Sequence, residues 1–249
     1  MNFAIQKKIV LLFLTVLLAS GSVSAQIRWL WDFEGILGDE KIGFTLGSNE
    51  IGKFQRAEDL ECSYFYVKDL KDIRLRCSLT QDGDLTVQEV GGDGKVAATF
   101  KGKFLENKID DIEGIWIKAG DTKSLPFKLN LARGTGGALN SRYSAIEAPD
   151  DAEFERQVQD FRNAVLKADK EKVVSFIEFP IKVQVGKKGV NIRNKAAFFR
   201  NYDKIFYKDF VEKIRETVPH NLFHRDIGAM LGSGLIWFWG DGKVIAINN

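Results

Sequence analysis

Between Trp31 and Leu131 the chain is cut into eight short apolar segments separated by turn residues, and this rhythm excludes most folds before composition is consulted. The segments are residues 31–36, 41–46, 62–67, 73–79, 85–90, 96–104, 112–118 and 127–131. No helical periodicity intervenes, so segments adjacent in the chain are predicted to pair antiparallel, as a meander. Asp82-Gly83 and Gly91-Gly92-Asp93-Gly94 mark turns, because glycine accepts the positive φ that tight hairpins require. Ile73, Leu75 and Cys77 alternate with Arg74, Arg76 and Ser78, which predicts one buried and one wet face. The expectation is an antiparallel β-barrel or sandwich of about eight strands.

Glycine recurs beside aromatic or aliphatic residues at Gly35, Gly102 and Gly114. Glycine within a strand allows a bend or a close backbone approach, as at a barrel corner. These positions read as a curved sheet around an aromatic core, with a ligand cavity as the alternative. Trp29 and Trp31 are placed to cover one barrel end or to start the first strand.

Cys62 and Cys77 are the two cysteines of the chain. They fall in consecutive strands, and folding about residues 68–72 sets them almost opposite each other. A disulfide is expected, closing a loop of about 15 residues and contributing about 3 kcal/mol through chain entropy. Neither C-x-x-C spacing nor a flanking histidine supports a reactive or metal-binding pair.

A different grammar begins near residue 150. Pro149, Asp150 and Asp151 open a helix with Phe154, Val158, Phe161 and Val165 at helical spacing. Asp169 caps a second short helix that stops before Pro180, residues 181–185 form a strand, and residues 196–214 carry two further helical turn sets. Three strands close the chain, at 227–231, 234–239 and 243–247. The class is α+β: the sheet barrel followed by a helix-backed, curved antiparallel sheet. The division expected is 26–133 for the all-β unit, 134–150 for a linker rich in small residues, and 151–249 for the α+β unit.

Residues 1–25 read as an export signal. Lys7 and Lys8 precede an apolar run over 9–18, and Val23-Ser24-Ala25 is a small-residue cleavage site. The chain holds 36 basic and 34 acidic residues, and losing Lys7 and Lys8 makes the two equal. A neutral mature chain gives no support to a nucleic-acid partner, and no segment approaches the length of a membrane span. The expected location is periplasmic or extracellular.

Several phrases in the second half resemble the nuclear transport factor 2-like superfamily, the cone-shaped α+β fold shared with ketosteroid isomerases and scytalone dehydratase, and within it a group of exported bacterial domains. They are Phe179-Pro180-Ile181, Val190-Asn191-Ile192-Arg193, residues 198–206, residues 228–234 and Ile245-Ala246-Ile247-Asn248. The resemblance covers about 100 residues and implies a pocket between helices and sheet, where carboxylates and tyrosines act in the isomerases. The candidates it brings forward are Tyr202, Asp203, Tyr207 and Asp226. Trp237 and Trp239 alternate on one strand face and read as core or interface residues, with a stacking platform as the alternative.

His220 and His224 stand at i, i+4 with Asp226 close by, the spacing of a two-histidine metal site with a third ligand. Pro219 and Asn221 argue instead for a turn between helix and strand. Lys182, Lys187, Lys188, Arg193, Lys195 and Arg200 form a basic cluster that reads as a solvated face. No nucleophile elbow, catalytic triad or phosphate loop is present, and no cofactor is called for. The expected function is a non-catalytic exported protein that binds a protein or a small-molecule ligand. The alternative is an isomerase, dehydratase or hydrolase working in the cone pocket.

Overall fold

The computed structural model describes residues 29–48, 57–80, 83–104, 111–186 and 188–249. Residues 1–25, read above as an export signal, and Asp82 and Lys187 lie outside the described residues.

Eight antiparallel strands close into a barrel in chain order: β1 (Trp29–Leu37), β2 (Glu40–Ser48), β3 (Ala57–Tyr66), β4 (Ile73–Leu79), β5 (Asp84–Val90), β6 (Val96–Phe104), β7 (Asp111–Lys118) and β8 (Ser124–Gly136). β8 pairs with β1 and completes the ring. The period-2 pattern decides what fills it: Phe33, Phe44, Tyr64, Phe100, Phe104 and Phe127 point inward and are buried. Phe100 sits at the centre of this cluster, with ring contacts to Phe44, Tyr64, Trp116 and Phe127 at 5.2–6.5 Å. Such edge-on packing of buried rings contributes beyond its area.

The strand glycines serve this packing. Gly102 and Gly114 face each other across β6 and β7, and a Cβ on either would overlap the Phe127 ring. They make room for an aromatic core. Cys62 and Cys77 lie in β3 and β4 with Cα atoms 6.3 Å apart and form a disulfide inside the barrel.

The second unit holds four helices, α1 (Asp151–Leu166), α2 (Lys170–Phe176), α3 (Lys195–Ile205) and α4 (Lys208–Arg215). Three begin on a side-chain cap that satisfies an otherwise orphaned N–H. The carboxylates of Asp150 and Asp169 accept from Glu153 N and Lys172 N, and the Asn194 side chain accepts from Ala197 N. A hairpin of β9 (Ile181–Val185) and β10 (Lys188–Ile192) accompanies a four-stranded sheet of β11 (Phe223–Arg225), β12 (Gly228–Leu231), β13 (Ile236–Phe238) and β14 (Val244–Ile247). A parallel bridge from Ile177 to Val244 joins the end of α2 to β14.

Each unit has its own cluster of buried apolar side chains. One fills the barrel, and the other is built on Phe154, Phe161, Phe198, Phe210 and Phe238. Two expectations are corrected. Gly134–Gly136, assigned to the linker on composition, belong to β8 and pair with Trp29–Trp31 of β1. β11 lies where a turn between helix and strand was expected, and β10, which was not set apart in the sequence, is a strand as well.

Candidate functional site

The two units meet on the outer face of β1, β2 and β3. Leu30, Asp32, Thr45, Ser63 and Phe65 point away from the barrel interior, yet all are buried. Their cover is the segment from Gly137 to Asp150 and the connection from Val218 to β11. Gly43 allows the contact, since a Cβ there would overlap the Phe65 ring that lies across it. Phe65 in turn meets the His220 ring edge-on, with centroids 4.3 Å apart.

At the middle of this seam Asp32 and Arg142, 3% and 2% exposed, form a two-pronged ion pair. Arg142 donates from Nη1 to Asp32 Oδ2 at 2.7 Å and from Nη2 to Oδ1 at 3.0 Å. The Thr45 hydroxyl donates to Asp32 Oδ1 at 2.7 Å and accepts from Asn221 Nδ2 at 3.2 Å. Arg142 is aimed by its own backbone, because its N–H and that of Tyr143 donate to the two carboxylate oxygens of Asp151 at the start of α1.

A bulge adds a second cation. Register shifts between Asp32 and Phe33, so that Ala132 is an extra residue in β8 and Arg133 pairs with Asp32. One added residue reverses the side to which a strand position points. Arg133 is thereby brought out of the barrel, 3.6 Å from Asp32 and 2.9 Å from Glu34.

Beside this pair runs a second chain of polar groups. The Tyr143 hydroxyl donates to Glu155 Oε1 at 2.5 Å and accepts from Leu222 N at 2.7 Å. Asn221 N donates to the same Glu155 oxygen at 2.8 Å, from a left-handed backbone (φ 50°) that asparagine tolerates well. His220 Nδ1 ion-pairs with Glu155 Oε2, and Nε2 lies 3.3 Å from Asp72 Oδ1 in the β3–β4 turn. Burial opposes charge on His220, but the two carboxylates overcome it and push its pKa up to about 9. It is a cation at neutral pH. His224, also buried, is pushed down by burial and by Arg142 and stays neutral. Burial drives the Tyr143 hydroxyl far above its ordinary range, so it acts as a fixed donor.

Two clefts flank the connection Glu216–Val218, which lines both. The smaller, about 530 Å³, runs between β1–β2 and the end of α4; its walls include Ile36, Ile42, Phe65, Leu70, Val218 and Pro219. Asp32, Thr45 and Asn221 also line it. The larger, about 1170 Å³, lies between Arg133 and the terminal sheet, with Phe223, Met230, Leu235 and Trp237 on its walls.

The candidates brought forward by the resemblance do not converge. Tyr202 is in the core of the α+β unit, its hydroxyl pushed up to about 12 chiefly by burial. Asp203, next in the chain, points to solvent and pairs with Lys170 at 2.8 Å. Tyr207 is 40% exposed at the start of α4, and Asp226 is exposed in the β11–β12 turn. Trp237 faces the larger cleft, whereas Trp239 packs against the core. Between helices and sheet, where a pocket was implied, rings fill the space. Phe161 contacts Phe176, Phe206 and Phe238, and Phe198 contacts Phe179, Tyr202 and Phe206.

The metal reading is corrected as well. His220 lies before β11 and His224 within it, so their i, i+4 spacing sets no shared helical face. His220 is occupied by Glu155 and Asp72, and Asp226 is turned to water. Among the described residues no group of three His, Cys, Asp or Glu converges to hold a metal. The residues that do converge, Asp32, Thr45, Arg142, Tyr143 and Glu155, were not singled out in the sequence. One signal was readable: Leu30 and Phe65 add outward apolar groups to strands already apolar inward, and a strand apolar on both faces must be covered on both.

Comparison of the chain with family models, with curated proteins and with solved structures gave no match.

Proposed function

We propose that this protein is exported and binds a small apolar ligand, without catalysis, in the smaller cleft at the seam of its two units. The observation that carries the reading is the state of the polar groups on the cleft floor. Asp32, Thr45 and Asn221 are bonded to one another and to Arg142, so they hold the seam shut. A general acid or base needs a proton-transferring atom aimed at substrate. What the cleft offers is mainly apolar wall, and 530 Å³ falls within the range of small-molecule sites, about 300–1,000 Å³. The export part rests on the charged, apolar and small-residue regions of residues 1–25. The likeness of residues 151–249 to nuclear transport factor 2-like domains is part of the same reading; it supplies a helix-backed sheet as a docking partner for the barrel, with the cavity displaced from the cone to the seam.

Titration with Nile red, a neutral apolar dye, tests the site. Saturable binding with a blue-shifted emission is expected for the wild type and is lost in Val218→Trp, which fills the cleft. Absence of saturable binding, or full binding by that variant, overturns the assignment. Expression of the full chain in a bacterial host, followed by N-terminal sequencing of the exported protein, tests the rest: a mature start at Gln26 is expected.

A further inference from the structure

The charges around the smaller cleft do not cancel. Asp32 is taken by Arg142 and Arg133, and Glu34 by Arg133. Arg215 bonds Glu212 at 3.0 Å. Arg162, on α1, has no carboxylate partner among the described residues. Its Nε donates to the Ile214 carbonyl at 3.2 Å and its Nη2 to the Arg215 carbonyl at 2.5 Å. Those bonds hold the guanidinium at the end of α4 and leave the Nη1 donors without a partner among the described residues. Among the charged residues that line the cleft, Lys41, Arg133, Arg162 and Arg215 face Asp32, Glu34 and Glu216. One positive charge is in surplus.

We infer that the seam cleft takes an organic anion with an apolar body, its head group seated on Arg162 and Arg215 and its body on the walls formed by Ile36, Phe65, Leu70 and Val218. This rests on the proposed binding role of the cleft and adds the ligand class. Among the described residues Arg162 has carbonyl partners only, and Arg215, which Glu212 engages from one side, stands at the helix end that Arg162 grips, so an anion placed between them serves Arg162 first. Burial and the nearness of Arg215 both pull the Arg162 pKa below its ordinary value, with Glu216 offsetting part of the effect. A guanidinium presents paired donors that match a carboxylate, which a lone ammonium does not. The apolar wall then offsets the cost of seating the head group, because removing apolar area from water is favourable.

The experiment displaces bound Nile red with laurate and with dodecanol, which share a chain and differ in the head group. Laurate is expected to displace the dye at a concentration at least tenfold lower, and the gap is expected to narrow with added salt. Arg162→Met should remove the preference, so that laurate and dodecanol act at concentrations within about threefold of each other. Arg215→Gln, which leaves the Arg162 bonds to the α4 carbonyls in place, should reduce it severalfold and serves if Arg162→Met does not fold. Equal displacement by acid and alcohol, or a preference retained in both variants, overturns the anion inference and leaves the cleft assignment standing. No saturable binding of dye or laurate overturns both.

Discussion

Replacing Arg142 by Met isolates the ionic part of the seam. The unbranched apolar side chain keeps much of the packing of the arginine stem, but both bonds to Asp32 and the bond from Nη2 to Thr45 are lost. Asp32, 3% exposed, is then left with the Thr45 hydroxyl at 2.7 Å and Arg133 at 3.6 Å. Removing one partner of a buried pair costs about 3–5 kcal/mol, chiefly because the other charge stays behind. Thr45 and Arg133 still attend the carboxylate, which places the cost at the lower end, about 3 kcal/mol. For a chain of this size the melting temperature should fall by roughly 6–12 °C. Differential scanning calorimetry provides the measure, with guanidinium unfolding followed by tryptophan fluorescence as the second probe. Asp32→Leu combined with Arg142→Met removes both charges and should recover at least half of the loss, since a buried pair can be replaced by apolar groups at little cost. A single variant within about 1 kcal/mol of wild type, the range of a solvated pair, would overturn the assignment of Asp32–Arg142 as the centre of the seam. So would a double variant no more stable than the single one.

His220 should make stability fall with rising pH. Its folded pKa of about 9 lies above the unfolded value, so its contribution is complete below about pH 6.5 and disappears as pH rises to 9; the full span is about 3 kcal/mol. Denaturant unfolding from pH 6 to 9.5 measures it; His220→Gln should flatten the slope, and a wild type without one refutes the pairing. His224, whose pKa is lowered, gives the opposite slope: its contribution is complete above about pH 6.5 and is lost as pH falls. Thiol titration of the unfolded, unreduced protein should detect no free cysteine, and Cys62→Ala with Cys77→Ala should cost about 3 kcal/mol; two titratable thiols would contradict the bridge. Gly43→Val drives a side chain into the Phe65 ring and should destabilise the fold by about 1–3 kcal/mol. Wild-type stability in that variant would show that Phe65 can move aside at no cost.

The barrel was readable because its information is local. Several strands carry their own alternation, as in Ile73, Leu75 and Cys77 against Arg74, Arg76 and Ser78, and turns such as those at Gly83 and Gly94 carry their own glycine. What was missed depends on partners distant in the chain. Gly134, Thr135 and Gly136 have linker composition, and only the start of β1 makes them strand. Arg133 would point into the barrel if alternation continued from Leu131, and the extra residue Ala132 has no signature in a sequence of small and polar residues. β11 is three residues long, too short to show any period. The helices were found through caps, Asp150 and Asp169, that act within three residues.

The seam escapes sequence reading for the same reason that it works. Arg142 and Asp32 are 110 residues apart, and Asn221 and Thr45 are 176 apart, so no spacing rule joins them. Asp32, Arg142 and Glu155 find their partners across the seam in this arrangement, and sliding would strand a buried charge against an apolar surface. An apolar seam would tolerate sliding. A two-pronged Asp32–Arg142 pair, crossed by Thr45 and Asn221, does not. Polar specificity therefore fixes how barrel and α+β unit sit together, and their two apolar cores supply the bulk of the stability. The smaller cleft is a consequence of that fixed docking: β1 and β2 form one wall, and α1, α4 and the Glu216–Val218 connection form the other. A ligand held there contacts both units at once, so its binding should stabilise the docked arrangement by the mass action of a ligand that prefers one state.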